Sequence, residues 1–261
     1  MALAVANSAR ARLEKGELAL GIGIRQARSV DIAKIMKSCG YDWLFLDLEH
    51  GVMALDSAVQ IAVAALDAGI APLVRVPSGQ YWLATRALDG GALGIVMPHV
   101  DTAEEAAELV DRLKYPPQGH RSSGGAFPQF DFKSVPAGEA TAALNKGNLV
   151  VAMLETPQAI ANAEAIAAVP GLDVLLIGTN DLTLEMGIPG KLGDERVAAA
   201  YKRVIAACKK HKKHPGMGGV YDEALLERYI GLGMRMVLCG ADLGMMMAAA
   251  SARAKFVRAL K

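Results

Sequence analysis

Apolar positions along this chain alternate between two rhythms. Continuous apolar runs at 18–24, 42–48, 71–77, 92–98, 148–154, 172–178, 216–220 and 234–240 read as strands buried on both faces. Between them, residues 29–39, 55–68, 79–89, 101–113, 136–146, 157–169, 195–212, 222–232 and 242–260 carry apolar residues at helical spacing. Ser29 is placed to cap the first of these, Gly40 and Gly69 to stop helices, and Pro157 to open one. The longest irregular stretch is 115–135, and 182–194 is a second, shorter one. Long loops in compact domains are usually functional or disordered. Eight strands alternating with helices over 261 residues predict an α/β chain folded as a (β/α)₈ TIM barrel, one domain spanning 1–261. A doubly wound open sheet is the competing architecture. It wants a three-glycine fingerprint after the first strand, and GIGIRQ (21–26) has only Gly21 and Gly23, so a nicotinamide cofactor is not expected.

The amino terminus reads as a short lead-in helix within 1–17. Its charges follow its apolar residues, the reverse of a signal peptide. No apolar run nears the roughly 18 residues of a membrane span. With 52% hydrophobic and 21% charged residues and a net charge of +1, a soluble globular protein is expected, one located in the cytoplasm. Near-neutral charge and 5% aromatics speak against a nucleic-acid partner. Cys39, Cys208 and Cys239 have no CxxC spacing and sit in apolar segments, so three core thiols in a reducing compartment are predicted.

A barrel places its active site at the carboxyl ends of its strands. The second strand ends in Asp47, Glu49 and His50, the third in Arg75, the fourth in His99, the fifth in Glu155, and the sixth in Asn180 and Asp181, with Asp242 following the last. No lysine stands at a strand end, so a Schiff-base aldolase or a pyridoxal phosphate enzyme is not expected. Glu155 and Asp181 could share a hard divalent ion, Mg²⁺ or Mn²⁺, or one of them could cap a helix, as Thr156 could. Arg75 is either a structural ion pair or a clamp on a carboxylate or oxyanion. His50 is the candidate general base, oriented by a carboxylate; His99 reads as structural or supporting. The run KKHKKH (209–214) fits a solvated helix end, and Met245, Met246 and Met247 fit helix packing. The alanine-rich last helix suggests close helix contact, including with another subunit.

Six phrases, taken together and in this order, resemble the HpcH/HpaI aldolase family: GYDWLFLDLEHG (40–51), PLVRVP (72–77), VMPHVDTAEEA (96–106), YPPQGHRS (115–122), MLET (153–156) and IGTNDL (177–182). The resemblance implies the barrel argued above, commonly assembled as a homohexamer with the last helix exchanged between subunits. It implies metal-dependent, reversible aldol cleavage of a 4-hydroxy-2-oxo acid to pyruvate and an aldehyde through a pyruvate enolate held on Mg²⁺, Mn²⁺ or Co²⁺. On that resemblance Glu155 and Asp181 hold the metal, and Met153 with Gly178, Thr179, Asn180 and Asp181 surrounds the pyruvate half. Arg75 stabilises the developing oxyanion, and His50 acts as base through water. Asp89, of the same or a neighbouring subunit, raises the basicity of His50. Members often carry glutamine where this chain has Met153, and some carry tryptophan where it has GIGIRQAR. Arg25, Arg28, Arg121 and Phe127, the last with Phe130 and Phe132, are candidates for the aldehyde side. Two other functions stay open here. A lyase for malyl- or citramalyl-CoA would want a basic groove, and a non-catalytic barrel would have a broken ligand set.

Overall fold

In the computed structural model, which describes residues 6–125 and 127–260, eight parallel strands close in sequence order into a barrel. They are β1 (Ala19–Ile24), β2 (Trp43–Asp47), β3 (Ala71–Arg75), β4 (Gly94–Met97), β5 (Leu149–Leu154), β6 (Val174–Gly178), β7 (His214–Gly218) and β8 (Met236–Ala241). Helices or helical turns link each to the next and cover the outside. Among the described residues no helix is long and apolar enough to cross a membrane.

The continuous apolar runs are explained by two cores, one on each face of the sheet. Successive side chains on a strand alternate between faces. Thus Leu44 and Leu46 of β2 join Val74, Ile95, Leu154 and Ile177 against the helices. Trp43 and Phe45 point the other way, with Leu73, Val96, Val151, Met153 and Leu176 filling the barrel. The same parity carries Asp47, Arg75 and Glu155 to the inner face at the carboxyl end. Gly21 has a packing role rather than a nucleotide-binding one: it is registered with Trp43, and a Cβ there would meet the indole at 2.1 Å.

The helix Ser8–Glu14 closes the amino end of the barrel. Ala9 and Leu13 join the inner core, and Asn7 caps the helix while its Nδ2 donates to Leu93 O at 2.9 Å. The predicted lead-in helix is therefore present over these residues; residues 1–5 lie outside the described part of the chain.

Several expectations change. The first main helix begins at Asp31, and Val30, not Ser29, is its N-cap residue, without a side-chain cap. The helix expected at 157–169 is two pieces, Pro157–Ala161 and Ala163–Ala167, broken at Asn162, whose Nδ2 donates to Asp101 O at 2.8 Å. β7 starts at His214, because His214 and Pro215 pair with Val174 and Leu175 despite their weak apolar character. Cys39 is exposed and Cys239 half-buried, so only Cys208 is a core thiol. The last helix, Asp242–Ala259, has no buried residue; Met246 and Met247 are exposed, and Met245, partly exposed, lies against Gly240 with its Sδ 3.8 Å from the Tyr41 hydroxyl.

Candidate active site

The mouth of the barrel holds a cavity of about 250 Å³, lined by Arg25, Phe45, His50, Arg75, Met153, Gly178, Thr179, Asn180, Asp181, Gly218, Gly219, Tyr221 and Leu238. Its central feature is the ion pair of Asp47 and Arg75. These residues are register partners on β2 and β3 and share inward parity, so the topology sets them side by side. Arg75 Nε donates to Asp47 Oδ1 at 3.0 Å and Nη2 to Oδ2 at 2.7 Å, both residues being buried. The third nitrogen, Nη1, lies 2.9 Å from Glu49 Oε2. Phe45 lies under the guanidinium carbon, 5.0 Å from ring centroid to Cζ. Burial opposes ionisation of Asp47. The hydrogen bonds and charge of Arg75, the His50 N–H and the Arg25 charge outweigh it and hold the carboxyl below its usual range. The two readings of Arg75 thus merge: it is a structural ion pair whose cation also lines the cavity.

Glu155 follows β5 and is 1% exposed. The helix after it is capped by Thr156, whose hydroxyl accepts from Ala159 N–H at 3.0 Å, so Glu155 has no capping duty. Its Oε2 accepts the His99 backbone N–H at 3.0 Å, and the His99 ring nitrogen Nδ1 lies 3.4 Å away. His99 takes a positive φ of 54° and its Nε2 lies 3.8 Å from Glu49, which fits the supporting role expected of it. Burial pushes the Glu155 carboxyl up to about 8; the charges of Asp181 and Glu49 add to this, and the His99 N–H and Arg75 oppose it. Glu155 is not itself on the cavity wall. Gly178 is, and a Cβ there would fall 2.5 Å from Glu155 Oε1 and 2.8 Å from Met153 Cε. Glycine is required at 178 because β5 and β6 bring the glutamate over it.

Asn180 and Asp181 follow the sixth strand as expected, but the stretch read as irregular from 182 begins as helix. A helix, Thr179–Glu185, starts directly from β6 with Asp181 in its first turn. Thr179 is anchored: its hydroxyl donates to Gly218 O at 2.7 Å and lies 2.7 Å from the Tyr201 hydroxyl. Gly219 and Tyr221, which follow β7, were not anticipated. Gly219 has a φ of +84° and lies against the Asn180 side chain, a close approach that the phrase GMGGV hints at.

His50 is exposed, its backbone N–H donates to Asp47 Oδ1 at 3.1 Å, and no hydrogen bond or ion pair orients its ring among the described residues. Asp89 is held elsewhere, accepting from Arg121 Nη2 at 2.6 Å. Arg121 is buried over the Tyr115 ring, 4.6 Å from its centroid, and does not line the cavity. Phe127 and Phe130 belong to a satellite core with Tyr115, and with exposed Phe132 they line a separate cavity of about 300 Å³. Arg28 turns back to donate to Arg25 O and Ala27 O. Of the four aldehyde-side candidates, only Arg25 is at the mouth.

Residues 26–249 match the family described as HpcH/HpaI aldolase/citrate lyase. The chain belongs to this family. It is 39% identical to a 4-hydroxy-4-methyl-2-oxoglutarate aldolase of Hapsidospora irregularis over 88% of this chain and 87% of that one. A protein of the same description from Chaetomium globosum is 37% identical over 97% of both. The crystal structure of an HpcH/HpaI aldolase from Desulfitobacterium hafniense superposes with a TM-score of 0.91 at 28% identity, covering 97% of each chain. Membership of the HpcH/HpaI family makes this protein a carbon–carbon lyase, in keeping with the named aldolase relatives. The noncatalytic barrel is thereby set aside.

Proposed function

We propose that this HpcH/HpaI family member cleaves a 4-hydroxy-2-oxo acid reversibly to pyruvate and a carbonyl product, with Mg²⁺, Mn²⁺ or Co²⁺ held by Glu155 and Asp181. The observation that carries this reading is Glu155. It is a buried carboxylate with one backbone hydrogen bond, pressed by the charge of two other carboxylates. Uncompensated, that arrangement is costly, and a hard dication would relieve it. Among the described residues no group of three or more His, Cys, Asp and Glu side chains forms a closed cage. Two carboxylates suit an ion that completes its coordination with water and substrate oxygens. When bound, such an ion polarises the 2-oxo group as a Lewis acid.

The remaining roles belong to the chain. Arg75 cannot swing away, because Asp47 and Glu49 take all three of its nitrogens. It is a fixed positive charge for an oxygen that becomes negative. His50 takes the proton from the 4-hydroxyl, directly or through one water. The C3–C4 bond then breaks, its electron pair passes into the C2–C3 enolate, and C3 is reprotonated to give pyruvate. The His50 ring has no partner among the described residues, and Asp89 is bound by Arg121. On the family resemblance, Asp89 would reach His50 from a neighbouring subunit rather than within one chain. The uncovered last helix, with Leu243, Met245, Met246, Met247 and Phe256 exposed, supports exchange of that helix in a homohexamer. The CoA-lyase reading finds no support at the mouth, since no lysine lines the cavity.

Pyruvate release from a panel of 4-hydroxy-2-oxo acids tests the proposal. Cleavage should stop with EDTA and return with Mg²⁺, Mn²⁺ or Co²⁺. Cleavage that survives full chelation would sink it.

A further inference from the structure

The cavity has two unlike sectors. Asp181, Gly178 and Arg75 form the one assigned above to the pyruvate half. The other lies where β7, β8 and β1 adjoin, and is lined by Tyr221, Leu238 and Arg25. Arg25 is the cation of that second sector. Its Nε donates to Asp47 Oδ2 at 2.9 Å, and its two Nη nitrogens have no partner among the described residues. The side chain stays 43% exposed.

This arginine is held at both ends. The Asp242 carboxylate accepts the backbone N–H groups of Arg25 at 3.2 and 3.3 Å, of Gln26 at 2.9 Å and of Ala27 at 2.8 Å. It accepts that of Leu243 as well, at 2.7 Å. The loop after β1 is thus tied to the start of the last helix, while Asp47 fixes one edge of the guanidinium. The Nη1–Nη2 edge remains, a planar two-donor fork of the kind that matches a carboxylate. A phosphate or a CoA tail would call for more positive charge than one arginine already shared with Asp47, and no lysine lines the cavity.

The geometry points to Arg25 as the residue that binds a carboxylate on the carbonyl half of the substrate. The carbonyl partner is then itself an oxo acid rather than a neutral aldehyde or ketone. This rests on the pyruvate-aldolase reading above and adds the identity class of the second half.

The test compares two matched substrates, a 4-hydroxy-2-oxo acid whose carbonyl half ends in a carboxylate and its terminal amide. Wild-type enzyme should favour the carboxylate in kcat/KM by about 10- to 100-fold, the usual weight of a charge-assisted contact. Arg25→Gln should erase most of that preference, chiefly through KM, and Arg25→Lys should restore part of it. A wild-type enzyme that treats the two alike overturns the inference, and that readout needs no variant to fold. An Arg25→Gln enzyme that loses equally on both overturns it too. Exchange of the C3 protons of pyruvate in D₂O by wild-type enzyme separates the two layers. Exchange without carboxylate preference removes only the Arg25 subsite; no exchange and no cleavage removes the aldolase reading and the subsite with it.

Discussion

Replacing Glu155 by glutamine should stabilise the metal-free protein and abolish its response to metal. The unfolded chain ionises this group near 4.5, whereas burial and the charges of Asp181 and Glu49 raise it to about 8 in the folded state. Between those values the folded protein holds the extra proton, so the stability of the chelated protein falls as pH rises through that window and stays low above it. A shift from 4.5 to about 8, at about 1.36 kcal/mol per pH unit, is on the order of 5 kcal/mol. Glutamine keeps the shape, and its carbonyl oxygen can still accept the His99 N–H, but it carries no charge to bury. Recovering even half of that cost should raise the thermal midpoint by roughly 5–10 °C at pH 8.5 for a chain of this size. The assay is thermal unfolding followed by circular dichroism in EDTA from pH 5 to 9, at one protein concentration, because assembly also shifts the midpoint. The wild-type midpoint should fall relative to that of Glu155→Gln as pH rises, and Mn²⁺ should raise the wild type alone. A variant less stable than wild type at pH 8.5 in EDTA would refute the reasoning, since the buried carboxylate would then be ionised without cost.

Four further outcomes follow from the same contacts. Asp47→Ala strands the buried Arg75 guanidinium and should cost about 3–5 kcal/mol in urea unfolding, and the Asp47→Ala/Arg75→Met double variant should recover part of it. Gly178→Ala puts a methyl 2.5 Å from Glu155 Oε1, so calorimetry should show metal affinity down by more than about tenfold, the worth of one displaced ligand contact, with the far-UV spectrum retained. Lys114 is buried, and burial lowers its pKa from 10.5 to about 8, with Asp173 opposing. The folded state therefore loses this proton first, and its contribution to stability rises between about pH 8 and 10.5; urea midpoints of Lys114→Met should lack that rise. Met246→Glu with Phe256→Glu should reduce the assembled mass in light scattering, because both side chains are exposed on a helix with no buried residue.

The sequence alone determined the barrel and the charged residues at the ends of its strands. Eight apolar runs separated by helical periods leave few alternatives, because strands buried on both faces can alternate with helices only in a covered parallel sheet. The positions of Asp47, Arg75 and Glu155 followed from the rule that strand ends carry the chemistry, and parity along β2, β3 and β5 confirmed their common face. The periodicity did not reveal the Thr179–Glu185 helix, because it opens without a side-chain cap directly from β6. Asn162, which divides a helix by bonding to Asp101 O, was equally silent in a window of local pattern.

What only the tertiary structure decided is which residues meet across sequence. Arg25 and Arg28 are close in sequence and equal in charge, yet one reaches Asp47 and the other folds back on its own loop. Arg121 and Phe127 read as mouth residues, yet they close a satellite core. Tyr221 carried no chemical signature, and Gly219 only the glycine pair of GMGGV, yet both stand on the cavity wall. Hydrophobic periodicity is a local property of the backbone and survives in one dimension. Partner choice among charged and aromatic side chains depends on strand register and loop closure, which exist only once the barrel has formed.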